Sequence, residues 1–356
     1  MMTPSSFLWP LALASLLECG AWAGPGFDFF EPLRPSRPVQ VIAHRGASGQ
    51  APENTQPALV RCIEDGFEWA EIDVRLSRDG RHLVWHDPDL GKLGKGSVKV
   101  RETDLQELVA ADAGGWFAPR FRGEHLLTLR QALVLSKNRL NLYLDCKDVD
   151  PGQLARDIRE EGMERQVIVF DTPERLVALR AAAGHSLALM SKWRPSDGFE
   201  GWVTSVAPEA VEIDADRVTP QIVDGFGARG IRVEAKCLDA ADRAADWERV
   251  EAAGVHWIQT DFPEEVVAGV FARSFPKRPA LVSLHRGANR YAPENSTEAF
   301  RRAGRLGADF VEFDVRTTRD GQYFLLHDGR LDRTTDGHGP IADATAEQVR
   351  QLSAGA

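Results

Sequence analysis

The sequence predicts an α/β protein, a closed (β/α)8 TIM barrel followed by an incomplete second copy of the barrel's N-terminal part. Three observations predict it. Short apolar runs bounded by glycine alternate with amphipathic helical stretches, about eight β-then-α units in about 235 residues, and such alternation calls for a parallel sheet covered by helices. Eight units at that length favour a closed barrel over an open doubly wound sheet. Lastly, His44-Arg45-Gly46-Ala47 returns as His285-Arg286-Gly287-Ala288, 241 residues later, and 20 of the 44 positions from His44 to Asp87 are identical at that offset. A period of this size is a whole domain rather than a solenoid repeat. No glycine-rich phosphate loop follows the first strand, which argues against a dinucleotide-binding fold.

Taken in order, residues 1–23 read as a secretory signal. Residues 7–17 are nearly all apolar yet too short to span a bilayer, and Ala21-Trp22-Ala23 offers a small-x-small cleavage site. Cleavage after Ala23 would deliver the mature protein to the periplasm or the exterior. Residues 24–37, rich in proline and glycine, read as a linker. The barrel is expected over 38–273, with strands at 39–43, 69–76, 82–85, 140–147, 167–170, 186–190, 211–214, 231–238 and 255–260. Helices are expected at 57–65, 127–135 (with Thr128 as cap), 153–161, 173–183, 220–228 and 247–253. The partial repeat occupies 279–356. No other segment approaches a membrane span, and a formal net charge of -10 argues against a nucleic-acid partner held by a basic face. Removal of the signal leaves Cys62, Cys146 and Cys237, an odd and sparse set that reads as small buried hydrophobes. Nothing in the pattern specifies an oligomeric state.

In such a barrel the reacting groups lie at the C-terminal ends of the strands. His44 and Arg45 end the first expected strand. Glu71 and Asp73 lie two apart in the second, so strand alternation puts both carboxylates on one face and Ile72 and Val74 on the other. His86-Asp87 ends the third, and Asp145 and Lys147 repeat the device in the fourth, with Cys146 pointing away. Like charges turned into one mouth resist ionisation unless a cation lies between them. An all-oxygen set of Glu71, Asp73 and Asp145 suits a hard divalent metal, Mg2+ or Ca2+. A lone E-x-D is ordinarily a solvated strand face, but this one recurs as Glu312-x-Asp314 in company with His285, Arg286 and His327.

Two histidines flanking a metal, His44 and His86, can serve as general base and general acid. His82, His125, His185 and His256 lack such company and read as structural or surface residues. Arg45 and Lys147 offer positive charge to an anionic phosphoryl group. Glu53 has two readings: it orients Arg45 or a metal-bound water, or it supports the following helix start. Asn54 and Asp87 are further supporting candidates.

The set H-R-G-A…A-P-E-N-T…E-I-D-V-R-L-S-R-D-G…W-H-D, covering nearly all of the first repeat, resembles the glycerophosphodiester phosphodiesterase family. Leu127-Thr-Leu-Arg-Gln-Ala-Leu133, Leu144-Asp-Cys-Lys147 and Gly254-Val-His-Trp-Ile-Gln-Thr-Asp-Phe-Pro263 are similar to its later segments. The resemblance implies a barrel enzyme that hydrolyses glycerophosphodiesters, a small phosphodiester substrate, to glycerol 3-phosphate and an alcohol with a divalent metal. Carried over by position, Glu71, Asp73 and Asp145 would hold the metal, Arg45 and Lys147 would bind phosphate, and His44 and His86 would be the acid–base pair. Three departures stand out: Asp145 where the family usually has glutamate, no Arg-Thr-Thr after His86-Asp87, and Ala235-Lys236-Cys237 where a tryptophan-threonine pair is common. The second repeat keeps the first of those missing motifs as Arg333-Thr334-Thr335.

Residues 279–356 hold no counterpart of Asp145 and Lys147, and about 75 residues cannot close a barrel core. Three arrangements are open to them: a tandem enzyme cut short, which the intact motif favours, a docked accessory segment, or a partly disordered tail. Alternatives to the leading function are a lysophospholipase D-type phospholipid hydrolase and a catalytically weakened phosphodiester- or lipid-binding barrel.

Overall fold

The computed structural model describes residues 26–34, 36–274 and 280–355; the expected signal segment lies outside them. Eight parallel strands form the central sheet: β1 (Gln40–Ala43), β2 (Trp69–Leu76), β3 (Asn141–Cys146), β4 (Val167–Phe170), β5 (Ala188–Lys192), β6 (Ala210–Asp214), β7 (Arg232–Lys236) and β8 (Trp257–Thr260). β1 pairs with β8 from Gln40↔Trp257 to Ala43↔Thr260 and with β2 at Ile42↔Trp69 and Ala43↔Ala70. That double pairing closes the barrel and leaves none of its strands with a free edge. The outer ring comprises α1 (Gln56–Glu64), α2 (Leu129–Ser136), α3 (Pro151–Glu160), α4 (Pro173–Ala183), α5 (Phe199–Val206), α6 (Pro220–Gly227), α7 (Ala244–Ala252) and α8 (Pro263–Ser274). Thr128 caps α2 as expected, in a reciprocal capping box with Gln131.

The strands are buried on both faces, one against the helices and the other in the barrel interior, which is largely apolar at its floor and charged toward its C-terminal mouth. At the N-terminal end of the interior, Gln40 Oε1 accepts from the indole N–H of both Trp69, at 2.8 Å, and Trp257, at 3.0 Å. Phe29 lies edge-on to the two indoles, 5.4 Å from each ring, and is 3% exposed. The expected linker is therefore partly core: its Phe27 and Phe29 plug the barrel floor. A polar, proline-rich stretch hid them, since two aromatic residues two apart carry no helical or strand period.

Other differences have local causes. The expected third strand, His82–Val84, is not a barrel strand; it turns back at Asp79-Gly80 and pairs antiparallel with β2, Val74↔Val84. Two helices of the outer ring escaped the sequence reading, α5 and α8, as did the short helix Leu105–Val109. In α5 the apolar stripe Phe199, Trp202, Val203 has helical spacing but is interrupted by Gly201. His82 is structural, as read: it is buried, with Nδ1 2.8 Å from Asp157 Oδ2 and Nε2 accepting the Asp150 N–H. Cys62, Cys146 and Cys237 are buried free thiols.

Residues 280–355 fold as a segment. The strands Ser283–His285 and Phe310–Glu312 pair in parallel, the helix Thr297–Arg305 connects them, and Val315–Thr317 pairs antiparallel with Tyr323–Leu325. Leu326, Leu331 and Ile341 make a small core. The segment sits on α1 and α8 through arginines: Arg290 Nη2 lies 2.6 Å from Asp65 Oδ1, Arg302 Nη1 3.0 Å from Glu264 Oε1, and Arg305 Nε 2.6 Å from Glu265 Oε1. Arg302, Glu264 and Glu265 are buried in this contact.

Two outcomes test the packing. Phe29→Ala empties the floor between two indoles and should destabilise the barrel by about 3 kcal/mol, read from a urea midpoint at unchanged slope. The second concerns His256, whose Nδ1 accepts the Val233 N–H at 3.1 Å. Burial, with Arg232 nearby, pushes it down to about 4 from 6.5. The unfolded chain thus takes up a proton in a window where the folded chain does not, so stability is complete above 6.5 and falls as pH drops toward 4. His256→Gln should lose less stability than the parent between about pH 7 and about pH 4.5, and an equal loss would contradict this assignment.

Candidate active site

The site begins with a turn. After β1 the chain bends through Arg45, at φ 55°, and Gly46, at φ 77°, and Asn54 adopts φ 59°. A Cβ on Gly46 would lie 2.9 Å from Ala58 Cβ, so α1 approaches this turn as only glycine permits. Non-glycine residues held in the left-handed region are uncommon and mark positions the surroundings over-determine. Here the surroundings are the carboxylates of β2. The Arg45 N–H donates to Glu71 Oε2 at 2.7 Å, and the Asn54 amide both donates to Asp73 Oδ2 at 2.6 Å and accepts the Asp73 N–H at 3.1 Å.

β3 supplies the third carboxylate because it pairs with β2 in the register Asp73↔Asp145. Glu71, Asp73 and Asp145 offer oxygens within 4.8 Å of one another, the one such group among the described residues. Glu71 and Asp73 are buried, and Glu71 Oε1 has no hydrogen-bond partner. Burial, and after it the charges of Asp73 and Asp145, hold the Glu71 carboxyl well above the usual range. A carboxylate triad with an orphaned buried oxygen fits a hard cation, which would supply both the missing partner and the missing charge.

Two cations already lean on the triad. Lys147 Nζ lies 2.6 Å from Asp145 Oδ2 and 3.1 Å from Asp73 Oδ1. Arg45 Nε lies 3.6 Å from Asp73 Oδ2, and Arg45 Nη1 donates to Glu53 Oε1 at 3.0 Å. Burial lowers both groups, but the surrounding carboxylates outweigh it and keep both above their ordinary values. Of the two readings of Glu53, orientation of Arg45 is the one the geometry gives.

Each histidine is aimed by an aspartate. His44 Nδ1 is 2.7 Å from Asp261 Oδ1, while its Nε2 is 4.0 Å from Glu71 Oε2. His86 Nδ1 is 2.7 Å from Asp87 Oδ1, and the His86 carbonyl accepts from Arg75 Nε at 2.8 Å and Nη2 at 2.6 Å. With Nδ1 of each ring held by a carboxylate, Nε2 is the nitrogen left available for proton exchange. Every residue expected in the first-copy site is therefore in this barrel mouth or directly bonded to it.

The sequence reading missed three positions. Asp261 directly follows β8, the same kind of place that singled out His44. Arg75 carried no signal beyond recurring as Arg316, which makes the same contact to the His327 carbonyl. The absent Arg-Thr-Thr has a partial substitute in Lys92, whose Nζ is 2.7 Å from Glu53 Oε2. The repeat offset aligns Lys92 with Arg333, and Arg333 binds Glu294 with both Nη1, at 3.0 Å, and Nη2, at 2.7 Å. The first copy thus keeps the ion pair but replaces a planar fork by a point charge.

In the second copy the local bonds persist and the site does not. Arg286 donates its N–H to Glu312 at 3.1 Å, and Asn295 Nδ2 donates to Asp314 at 3.0 Å. Yet the Glu312 side chain is 46% exposed where Glu71 is 1%, and the His285 side chain is 66% exposed where His44 is 19%. No third carboxylate joins Glu312 and Asp314 among the described residues.

Known proteins resemble this chain in sequence and fold. The sequence pattern of the glycerophosphoryl diester phosphodiesterase family matches residues 44–165 and 285–356. A glycerophosphodiester phosphodiesterase of Caldanaerobacter subterraneus subsp. tengcongensis is 30% identical over 242 residues, 64% of this chain and 96% of that protein. The crystal structure of a glycerophosphodiester phosphodiesterase from Agrobacterium tumefaciens is 27% identical with a TM-score of 0.59, covering 66% of this chain and 99% of that one. An Oleispira antarctica phosphodiesterase, solved with the product sn-glycerol-3-phosphate, is 25% identical with a TM-score of 0.57, covering 65% of this chain and 96% of that one. This chain belongs to the glycerophosphoryl diester phosphodiesterase family of enzymes.

Proposed function

We propose that this chain hydrolyses glycerophosphodiesters to glycerol 3-phosphate and an alcohol, with His44 and His86 as the acid–base pair and a divalent cation, Mg2+ or Ca2+, held by Glu71, Asp73 and Asp145. The observation that carries the reading is the compact carboxylate triad with an unpartnered buried Glu71 oxygen, flanked by two Asp–His pairs. The Oleispira relative's bound sn-glycerol-3-phosphate supports the substrate class. The cation would neutralise charge on the phosphoryl oxygens as the reaction proceeds. Arg45 and Lys147 bind the phosphate beside it, and Glu53 with Lys92 keeps the Arg45 guanidinium in place.

His44 takes the proton of the attacking hydroxyl as its oxygen bonds to phosphorus; attack by water gives glycerol 3-phosphate directly, whereas attack by the glycerol 2-hydroxyl gives a cyclic phosphate that water then opens, with His86 as base and His44 as acid. The bond from phosphorus to the leaving alcohol breaks, and His86 gives that oxygen a proton. Asp261 and Asp87 hold the two rings by Nδ1, so that neither must reorient during the transfer. The apolar leader with its Ala21-Trp22-Ala23 site supports an enzyme that works outside the cytoplasm.

Glycerol 3-phosphate release from a panel of glycerophosphodiesters tests this. EDTA should abolish turnover and Mg2+ or Ca2+ restore it, while His86→Ala should lower kcat by about 10²- to 10⁴-fold. An absence of metal-dependent turnover across all headgroups would sink the proposal. Asp261→Asn should lower kcat by about 10²-fold with KM nearly unchanged, since it disturbs the aim of His44 and not the phosphate contacts.

A further inference from the structure

The turn between β8 and α8 carries Asp261, and the second segment grips the same turn from outside the barrel. From within, the Asp261 N–H donates to Asp242 Oδ2 at 2.7 Å and the Phe262 N–H to Thr260 Oγ1 at 2.9 Å. α8 then starts at Pro263, so Glu264 and Glu265 stand in its first turn, and both are buried. Arg302, on the helix Thr297–Arg305, meets both glutamates. Its Nη1 lies 3.0 Å from Glu264 Oε1 and 3.3 Å from Glu265 Oε1. The same guanidinium lies 6.0 Å from the centroid of the Phe262 ring. A Cβ built on Gly49 would be 3.7 Å from the Asp261 carbonyl oxygen and 3.8 Å from Arg302 Nη2. The loop that carries His44, the turn that carries Asp261 and the second segment therefore meet at one point.

Charge makes the turn depend on this contact. Two buried carboxylates side by side repel each other. Among the described residues, the cations paired with Glu264 and Glu265 are Arg302 and Arg305, both from the second segment. Burial raises the Glu264 carboxyl above its usual range, and the Arg302 charge is the strongest influence drawing it back. Arg305 is the lesser partner, since its side chain is 42% exposed where that of Arg302 is 8%. Removing one member of a buried ion pair leaves the other charge uncompensated, and the structure around it shifts. Here the structure around it is the first turn of α8, joined to Asp261 through Phe262 and Pro263. Asp261 Oδ1 in turn lies 2.7 Å from His44 Nδ1. A misplacement of about 1 Å in a group that aims a reacting atom lowers kcat by up to about 10²-fold. The phosphate contacts assigned to Arg45 and Lys147 do not pass through this turn, so KM is spared.

We propose that Arg302 is a positioning residue for the barrel's reaction: by pairing with Glu264 and Glu265 it fixes the start of α8 and with it Asp261, so that the second segment serves the first copy's site. This rests on the phosphodiesterase reading. On the most rapidly cleaved glycerophosphodiester, Arg302→Gln should lower kcat by about tenfold at nearly unchanged KM, and Arg302→Lys should restore most of the loss. In an Asp261→Asn background the same Arg302→Gln change should cost no more than about twofold, because the aim of His44 is already lost. Arg290→Gln, which breaks the seat on α1 and not the one on α8, should stay within about twofold of the parent. An equal loss in both backgrounds, or an equal loss from Arg290→Gln, marks a purely stabilising contact and overturns the role. Hydrogen exchange reads the turn without turnover: the Asp261 and Phe262 amides should exchange at least about tenfold faster in Arg302→Gln, while the amides of β4 keep the parent's rates. Should Arg302→Gln fold too poorly to assay, Glu264→Gln decides by the same two readouts, with a kcat loss of about threefold. If no ester is cleaved but exchange follows this pattern, only the reaction assignment fails. Unchanged exchange at the turn overturns the role of Arg302 whatever the enzyme cleaves.

Discussion

Three carboxylates forced into one barrel mouth are the constraint around which this molecule is arranged. Glu71, Asp73 and Asp145 share a space less than 5 Å across, and at that spacing like charges in a poorly hydrated site cost more than a fold's net stability can absorb unless they are offset. The offsets account for most of the local architecture. Arg45 and Asn54 stand in the left-handed region because only there do their N–H and amide groups reach the carboxylates. Gly46 lets α1 pack close enough to hold that turn, and Lys147 leans over from β3. One oxygen, Glu71 Oε1, is left over, and it is the place where the protein's own groups stop short.

The duplication separates what the turn needs from what the site needs. Arg286 and Asn295 repeat the φ values and the hydrogen bonds of Arg45 and Asn54, so that geometry is encoded within about thirty residues and survives without a barrel. Burial is not encoded there. Glu312 and His285 stand open to solvent, and among the described residues no equivalents of β3 to β8 enclose them. A carboxylate in water has little need of a cation and gives an adjacent histidine little electrostatic leverage. The second copy also explains Lys92, since Arg333 shows which carboxylate a cation at that position serves.

Legibility followed distance along the chain. Glu71 with Asp73, and Asp145 with Lys147, could be read because a strand places alternate residues on one face whatever lies around it. His44 and His86 could be read because each ends an apolar run at a barrel's reactive end. Asp261 lies 217 residues from its partner His44, and no local periodicity links the two. Phe27 and Phe29 looked like linker because their packing partners, Trp69 and Trp257, are brought together only when β1 closes the ring.

The sequence by itself determined the strand–helix alternation, the eight-unit count, the identity of the carboxylates and histidines, and the repeat that ties them together. These are properties of spacing, and the side-chain period of a strand or helix fixes spacing without knowledge of the rest of the chain. Tertiary structure alone decided that the strand after Asp79-Gly80 folds back outside the barrel, that Asp261 aims His44, and that the arginines of the second segment seat on α1 and α8. Each of these depends on which distant elements meet, and closure of the barrel sets those meetings.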